Sequence, residues 1–222
     1  VDKSQRILVT GVTGYIGGRL TPRLMSMGYK NIRVLVRDPE RLIGRSWYDD
    51  VEVVEGDVLK PETLSAALMG VNIAYYLIHS MRETKDFEER DIIAARNFGN
   101  ASRIAGVEHI IYLGGLGDPN RNLSSHLRSR HETGSVLRES GVPITEFRAG
   151  IIVGSGSISF EIIRYLTERI PIMLAPRFVS QKVQPIGVRN ALNYLMAALE
   201  KPECRDKIIE IGDADILTYR EM

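Results

Sequence analysis

Short runs of consecutive apolar residues alternate along this chain with longer segments whose apolar positions recur every three or four residues. Ile7–Thr10, Ile32–Val36, Val51–Val54, Val71–Ile78, His109–Leu113, a run within Ile144–Val153 and a last short piece, Ile208–Ile211, read as strands. Tyr15–Met27, Pro61–Leu68, Phe87–Ala105, His131–Glu139, Phe160–Glu168 and Asn190–Leu199 read as helices. Gly28 and Gly141 close two of them, and Pro61 stands at a first helical position. Pro22 falls inside the first helix, which predicts a kink or a displaced start. Phe87, Ala94, Phe98, Ala101 and Ala105 share one helical face. Strands this apolar on both sides, separated by helices, predict an α/β fold. Its parallel sheet is doubly wound, covered by helices on two faces and joined by right-handed crossovers.

The rhythm holds to about residue 154 and loosens from Ser155, where Gly154, Gly156, Pro171, Pro176 and Pro185 gather. One domain over 1–222 is therefore expected, with a core over about 4–154 and a small irregular lobe over about 155–222. A chain of 222 residues buries enough surface to need no disulfide or metal staple. Composition excludes other classes. The 44% hydrophobic and 26% charged content argues against long disorder. Twenty-nine basic against twenty-eight acidic residues, net +1, gives no global pull toward nucleic acid or an anionic surface, and no recognition-helix pattern is present. The single cysteine, Cys204, excludes an internal disulfide and a cysteine zinc site, so no metal is expected and a cytoplasmic setting is favoured. VDKSQRILVTG carries no apolar signal core. The longest uncharged run, Thr63–Met81, is broken by Gly70, Asn72 and Ser80, so no membrane span is expected.

The sharpest chemical signal is Thr10-Gly11-Val12-Thr13-Gly14-Tyr15-Ile16-Gly17, leaving a strand and opening a helix. Gly11 permits a tight turn, Gly14 lets backbone amides approach a diphosphate, and Gly17 lets the helix pack closely on the sheet. With Thr13, Tyr15 and Ile16 these residues are the candidates for seating a dinucleotide at a helix N-terminus. Arg37 follows Gly17 by twenty residues, at the end of the second strand, where an arginine suits a 2′-phosphate and an acid suits a 2′-hydroxyl. Arg37 favours NADP over NAD, and the adjacent Asp38 pulls the other way. Asp57 and Val58 end the third strand, where Asp57 serves either an adenine amino group or its own turn.

These segments together resemble the short-chain dehydrogenase/reductase superfamily, and within it the atypical NmrA-like or epimerase-like branch. The matching stretches are ILVTGVTGYIGGRL, RVLVRDPERL, VVEGDVLKPETL, NIAYYLIHSM, NFGNASRIAGVEHIIYLGG, FRAGIIVGSGS and QPIGVRNALNYL. The resemblance implies a Rossmann core of about seven parallel strands with NAD(P) across its carboxyl edge. It also exposes departures. Members of that superfamily place a Ser or Thr after the fifth strand, where this chain has Leu113-Gly114-Gly115-Leu116-Gly117. They carry Tyr-x-x-x-Lys, in which the tyrosine handles the substrate proton and the lysine holds the nicotinamide ribose. This chain aligns His126 and Arg130 there. Histidine moves protons near neutral pH and arginine holds hydroxyls, so both remain catalytic candidates. Asn97 matches a position that carries a structural or catalytic Asn in relatives. Its other reading is an amide bonded to backbone. His79, before Ser80 and Met81, and Gly114 fall where relatives line the cofactor cleft.

Arg121 to His131 is the densest basic stretch, read either as an anion pocket or as a solvated helix start. Ser155 and Ser157 offer amides to an anion or form a hinge. Phe160, Tyr165, Met173 and Phe178 line a cleft or fill the lobe. The main functional reading is an NAD(P)-binding, oxidoreductase-like protein with a degenerate catalytic motif, acting on a small-molecule substrate that the sequence does not name. The alternatives are an NADP-binding redox sensor or assembly protein without turnover, and a nucleotide-sugar epimerase or dehydratase-like enzyme. Leu217-Thr218-Tyr219-Arg220-Glu221-Met222 looks like the start of another helix, which leaves two readings, a core that continues into a further C-terminal domain or a stand-alone core.

Overall fold

The computed structural model describes residues 2–79, 87–119, 123–157, 160–161, 164–165, 182–218 and 221. In chain order its strands are β1 (Ile7–Thr10), β2 (Ile32–Val36), β3 (Glu52–Glu55), β4 (Ile73–Tyr76), β5 (His109–Gly115), β6 (Ile144–Ala149), β7 (Ile152–Val153), β8 (Lys182–Val183), β9 (Ile186–Gly187), β10 (Lys207–Ile211) and β11 (Leu217–Thr218). The helices used below are α1 (Gly17–Ser26), α2 (Leu64–Leu68), α3 (Phe87–Ile104), α4 (Ser125–Glu139) and α5 (Val188–Glu200). Seven strands form one sheet in the order β10-β6-β5-β4-β1-β2-β3, every neighbouring pair parallel. Two short pairs lie beside it, β7 with β9 and β8 with β11. This is the doubly wound Rossmann architecture that the apolar runs predicted.

Alternation along each buried strand divides the core in two. Ile7 and Val9 of β1 and Ile73 and Tyr75 of β4 face α1 and α5, which supply Leu20, Leu24, Leu192 and Leu195. Leu8, Ala74 and Tyr76 face the opposite layer of α2, α3 and α4, which supplies Leu64, Ala94, Phe98 and Leu137. Because the side-chain period of a strand is two, β1 and β4 feed both layers, and their sequences are almost wholly apolar. Among the described residues no helix is long and apolar enough to cross a membrane.

Three expectations change in detail. Pro22 stays inside α1, and the helix begins at Gly17, two residues later than expected. The fourth helix begins at Ser125, not His131, because the Ser124 hydroxyl accepts the Leu127 amide and caps it. The core also continues past residue 154. Ala191, Leu192, Leu195 and Leu199 of α5 are buried against the sheet, and β10 pairs with β6 from Lys207↔Thr145 to Ile211↔Ala149. The irregular stretch is thus an insertion between β6 and α5, and a boundary at 155 cuts through the core. Met173, Phe178, Pro171, Pro176, Ser80, Met81, Arg121, most of Phe160–Glu168 and Tyr219, Arg220 and Met222 lie outside the described residues.

A buried hydrogen-bond chain ties β5 and β6 to the turn before β10. Thr145 Oγ1 donates its one hydrogen to the Cys204 carbonyl at 2.8 Å and sits 2.8 Å from His109 Nε2, so His109 must donate through Nε2–H. Burial, with the nearby Arg205 adding to it and Asp206 opposing, lowers the His109 pKa to about 4. The unfolded chain, with an ordinary histidine value of roughly 6.5, binds more protons between those two values. The stabilisation is therefore complete above the unfolded value and is lost as pH falls toward about 4. Acidification should remove up to about 3 kcal/mol through this residue. Urea unfolding at a series of pH values should show a flatter acid limb for His109→Gln than for the parent chain, and identical limbs would contradict this account.

Candidate functional site

The chain runs from β1 outward through β2 to β3, then crosses to β4 on the other side of β1. The carboxyl ends of β1 and β4 therefore open a crevice at a topological switch point. A cavity of about 500 Å³ lies there. Gly11, Thr13 and Gly14 line it from the turn after β1, Arg37, Asp38 and Arg41 from beyond β2, and Asp57 and Val58 from beyond β3. His79, beyond β4, and Arg90 and Asp91, on α3, complete the wall.

The glycine-rich turn is three backbone layers in contact. Gly11 has φ +65°, and a Cβ there would overlap the Leu77 carbonyl. A Cβ on Gly17 would stand 2.5 Å from the Gly11 carbonyl oxygen. The Gly14 amide closes the turn on that same oxygen at 3.0 Å. The amides of Thr13, Tyr15 and Ile16 donate to no protein acceptor among the described residues, as at any open helix start. A glycine-floored seat with free amides at a helix N-terminus fits a diphosphate.

Guanidinium groups dominate the end beyond β2. Arg37, Arg41 and Arg90 are exposed on the wall and have no carboxylate partner among the described residues. Asp38 is turned to other work: its carboxylate accepts the Glu40 amide at 3.1 Å and caps the short helix Pro39–Leu42. Asp57 behaves partly as a turn residue, one carboxylate oxygen accepting the Leu59 amide at 3.0 Å. Val58 is buried beneath the cleft, and its carbonyl accepts from Asn97 Nδ2 at 3.0 Å. Asn97 is therefore a strut between α3 and the turn after β3. This is the backbone-bonded of the two readings its position left open.

At the other end, the early start of α4 puts His126 and Arg130 four residues apart on one helical face. The His79 and His126 rings meet edge to face with centroids 6.4 Å apart. Burial first, then the charge of Arg130, lowers the pKa of both rings, that of His79 to about 3 although part of its surface meets solvent. Both are neutral at pH 7. At His79 the Leu77 backbone opposes that lowering, more weakly than burial and the neighbouring Arg130 and His126 favour it. Arg130 Nη2 donates to the Leu113 carbonyl, and Tyr112 donates to the Arg130 carbonyl at 2.9 Å. Burial pushes the Tyr112 phenol up to about 12, so it does not stand in for the missing catalytic tyrosine.

Behind this group lies a charge cluster that the sequence reading missed. Glu146 on β6 is fully buried, paired with Arg138 and, at 2.7 Å, with Arg148. Its carboxylate fills the space where a Gly134 Cβ would be, and it lies 3.3 Å from a Cβ built on Gly114. Gly114 thus makes room for Glu146, and it is not among the residues that line the cavity. The side chains of Tyr15 and Ile16 have other partners, Ser155 and the core, and Gly17 meets Gly11, so what Tyr15 and Ile16 offer a dinucleotide is the backbone amide. His131 Nε2 lies 3.0 Å from the Gly115 carbonyl, fixing the end of β5. The basic stretch resolves into separate tasks, with Arg128 paired to Glu88 at 3.6 Å. The Ser157 amide donates to the Gly154 carbonyl at 3.0 Å, so it is spent within its own turn, and Tyr165 is 58% exposed and fills no core.

Arg41 and Asp91 were legible signals. Arg41 follows Arg37 by one turn, and Asp91 interrupts the Phe87–Ala94 apolar stripe as a buried acid that accepts from Ser129 Oγ at 3.1 Å.

The sequence profile of the NmrA-like family matches residues 3–164. The chain belongs to the NmrA-like family. It is 35% identical over 143 residues to the (4-alkanoyl-5-oxo-2,5-dihydrofuran-3-yl)methyl phosphate reductase of Streptomyces griseus, which covers 64% of this chain and 46% of that protein. It is 28% identical over 222 residues to the ceramide reductase of Caulobacter vibrioides, 97% of this chain and 68% of that one. The chain thus spans about half and about two thirds of these relatives' lengths. The fold is similar to that of a Citrobacter sp. triphenylmethane reductase solved with NADP(H), with a TM-score of 0.80, 24% identity, and coverage of 97% of this chain and 73% of that one.

Within this NmrA-like core, Gly17→Ala should push α1 off the turn. A loss of about 1–3 kcal/mol and a fall of several degrees in Tm are expected. An unchanged thermal melt would mean that the three-layer contact is looser than described.

Proposed function

We propose that this NmrA-like chain binds a nicotinamide dinucleotide along the β1–β4 crevice, prefers NADP(H) to NAD(H), and serves a reductase reaction on a small organic substrate. The observation that carries the reading is the glycine-floored turn with its free amides. The three arginines without carboxylate partners support a 2′-phosphate, as does the commitment of Asp38 to its cap. The two reductases to which the sequence is similar support reduction as the chemistry.

When bound, the dinucleotide supplies a hydride. Arg37, Arg41 and Arg90 hold negative charge at the end beyond β2, while Thr13, Tyr15 and Ile16 offer backbone N–H groups to the diphosphate. Arg130, fixed to the Leu113 carbonyl, retains further N–H donors for hydroxyl groups. His126, neutral at pH 7, donates an N–H to the substrate atom that gains negative character, as a neutral imidazole can in a positively charged setting. Its lowered pKa keeps that donor neutral at pH 7, so turnover should be level through neutral pH and fall as the ring protonates in acid.

Two measurements test this. Calorimetry should show NADP⁺ binding more tightly than NAD⁺, and Arg37→Ala/Arg41→Ala should weaken NADP⁺ by about 10- to 100-fold while leaving NAD⁺ nearly unchanged. A constant ratio would remove the arginines from 2′-phosphate recognition. With NADPH and a panel of unsaturated lactones and ketones, His126→Phe should reduce turnover by about 10²- to 10⁴-fold at unchanged NADPH affinity. Equal turnover would take His126 out of the chemistry. Binding without turnover on every compound would favour the sensor reading, to which the locked Arg130 and the missing hydroxyl after β5 lend support.

A further inference from the structure

Tyr15 and Arg19 leave the glycine-rich turn on the side away from the cleft and converge on one distant atom. Tyr15 Oη donates to the Ser155 carbonyl at 3.2 Å, and Arg19 Nη2 donates to the same oxygen at 3.0 Å. Arg19 Nη1 also reaches the Tyr15 carbonyl at 3.4 Å, and its guanidinium lies 4.0 Å over the Tyr15 ring. The accepting turn is shaped to this pair. A Cβ on Gly154 would fall 2.7 Å from Tyr15 Oη and 2.6 Å from Val188 Cγ1. Gly156, at φ +81°, would place one 3.4 Å from Arg19 Nη2. Larger residues at either position would displace the turn from its two donors.

The charge of Arg19 is out of place for packing alone. It is the third residue of α1, whose first turn contains no acid. A cation there opposes the helix dipole. Arg19 has no carboxylate partner among the described residues, only carbonyl oxygens and a ring face. An anion seated at the same helix start would remove that penalty.

We propose that Tyr15 and Arg19 are positioning residues that fasten the 154–157 turn to the dinucleotide seat, so that filling the seat tightens the root of the segment following β7. The proposal rests on the dinucleotide reading above. It makes the seat and that turn one coupled unit, and coupling is reciprocal: a second ligand resting on the turn raises dinucleotide affinity by the same factor that the dinucleotide raises its own.

Amide exchange over residues 150–157 reports on the turn. There the Gly156 amide is bonded to the Glu161 carboxylate at 3.1 Å and the Ser157 amide to the Gly154 carbonyl at 3.0 Å. Saturating NADP⁺ should slow exchange there by about 3-fold or more in the parent chain. In Tyr15→Phe/Arg19→Met the slowing should vanish and NADP⁺ affinity should fall by about 10-fold. Gly154→Ala, which keeps both donors but drives the turn away from them, should lose the slowing too. If the parent binds NADP⁺ and its turn exchanges at the same rate as before, or if the double variant keeps the response, the clamp is overturned. If the parent binds no dinucleotide, the reading beneath it falls and takes the clamp with it.

Discussion

The rest of the molecule is arranged around a gap too narrow for a side chain. Leu77 at the end of β4, Gly11 at the end of β1 and Gly17 at the start of α1 stack backbone against backbone, at separations that no Cβ survives. This contact sets how closely α1 approaches the sheet, and so where its unpaired amides point. It also brings the ends of β1 and β4 together at the switch point. Thr10 reinforces it, its hydroxyl donating to the Tyr75 carbonyl and accepting the Leu77 amide. Strand order alone would make a crevice somewhere along the carboxyl edge. The glycine contact decides which crevice has a floor of amides.

Much of this was legible because its causes are local. A strand buried on both faces is mostly apolar, and β2, four of whose five residues are apolar, emerges with the bounds its sequence predicts. The spacing of Gly11, Gly14 and Gly17 fixes a backbone path whatever surrounds it. What the sequence concealed depends on partners far along the chain. The capping role of Ser124 moved α4 forward by six residues, and only then do His126 and Arg130 share a helical face. Gly114 looks like a cofactor glycine until Glu146, thirty-two residues later, is found occupying the space beside it. Asn97 carries the right side chain for catalysis, yet its amide is spent on Val58. Regular repeats also end at about residue 154, which hid the return of α5 and β10 to the core, since α5 is separated from its sheet neighbours by an irregular insertion.

The two ends of the crevice are electrostatic opposites, and for different reasons. Arg37 and Arg41 beyond β2, and Arg90 on α3, are exposed and have no carboxylate partner among the described residues, so their charge can meet an incoming anion. Near His126 the charge is already compensated. Glu146 sits between Arg138 and Arg148, Arg130 holds a carbonyl, and two imidazoles are kept neutral by burial and by that same arginine. Breaking the Glu146 cluster by removing one partner would leave a buried charge without a counter-ion, a change worth several kcal/mol, so the cluster is a rigid backing for β5 and α4. Polar atoms with little net charge, on a stiff wall, make a surface suited to orienting a neutral, polarisable group.

This contrast sets how freely each part of the crevice can vary in sequence. Replacing a glycine in the three-layer contact shifts a helix, because every atom that would have to yield is backbone. His126 and Arg130 are half-buried side chains on a helix whose backbone is fixed independently by the Ser124 cap and the Tyr112–Arg130 bond. Chemistry on α4 can therefore vary at little cost to folding, whereas the turn after β1 is held by sterics. Identity at the seat and divergence on α4 are two results of one structural fact: the first is backbone geometry, and the second is decoration on it.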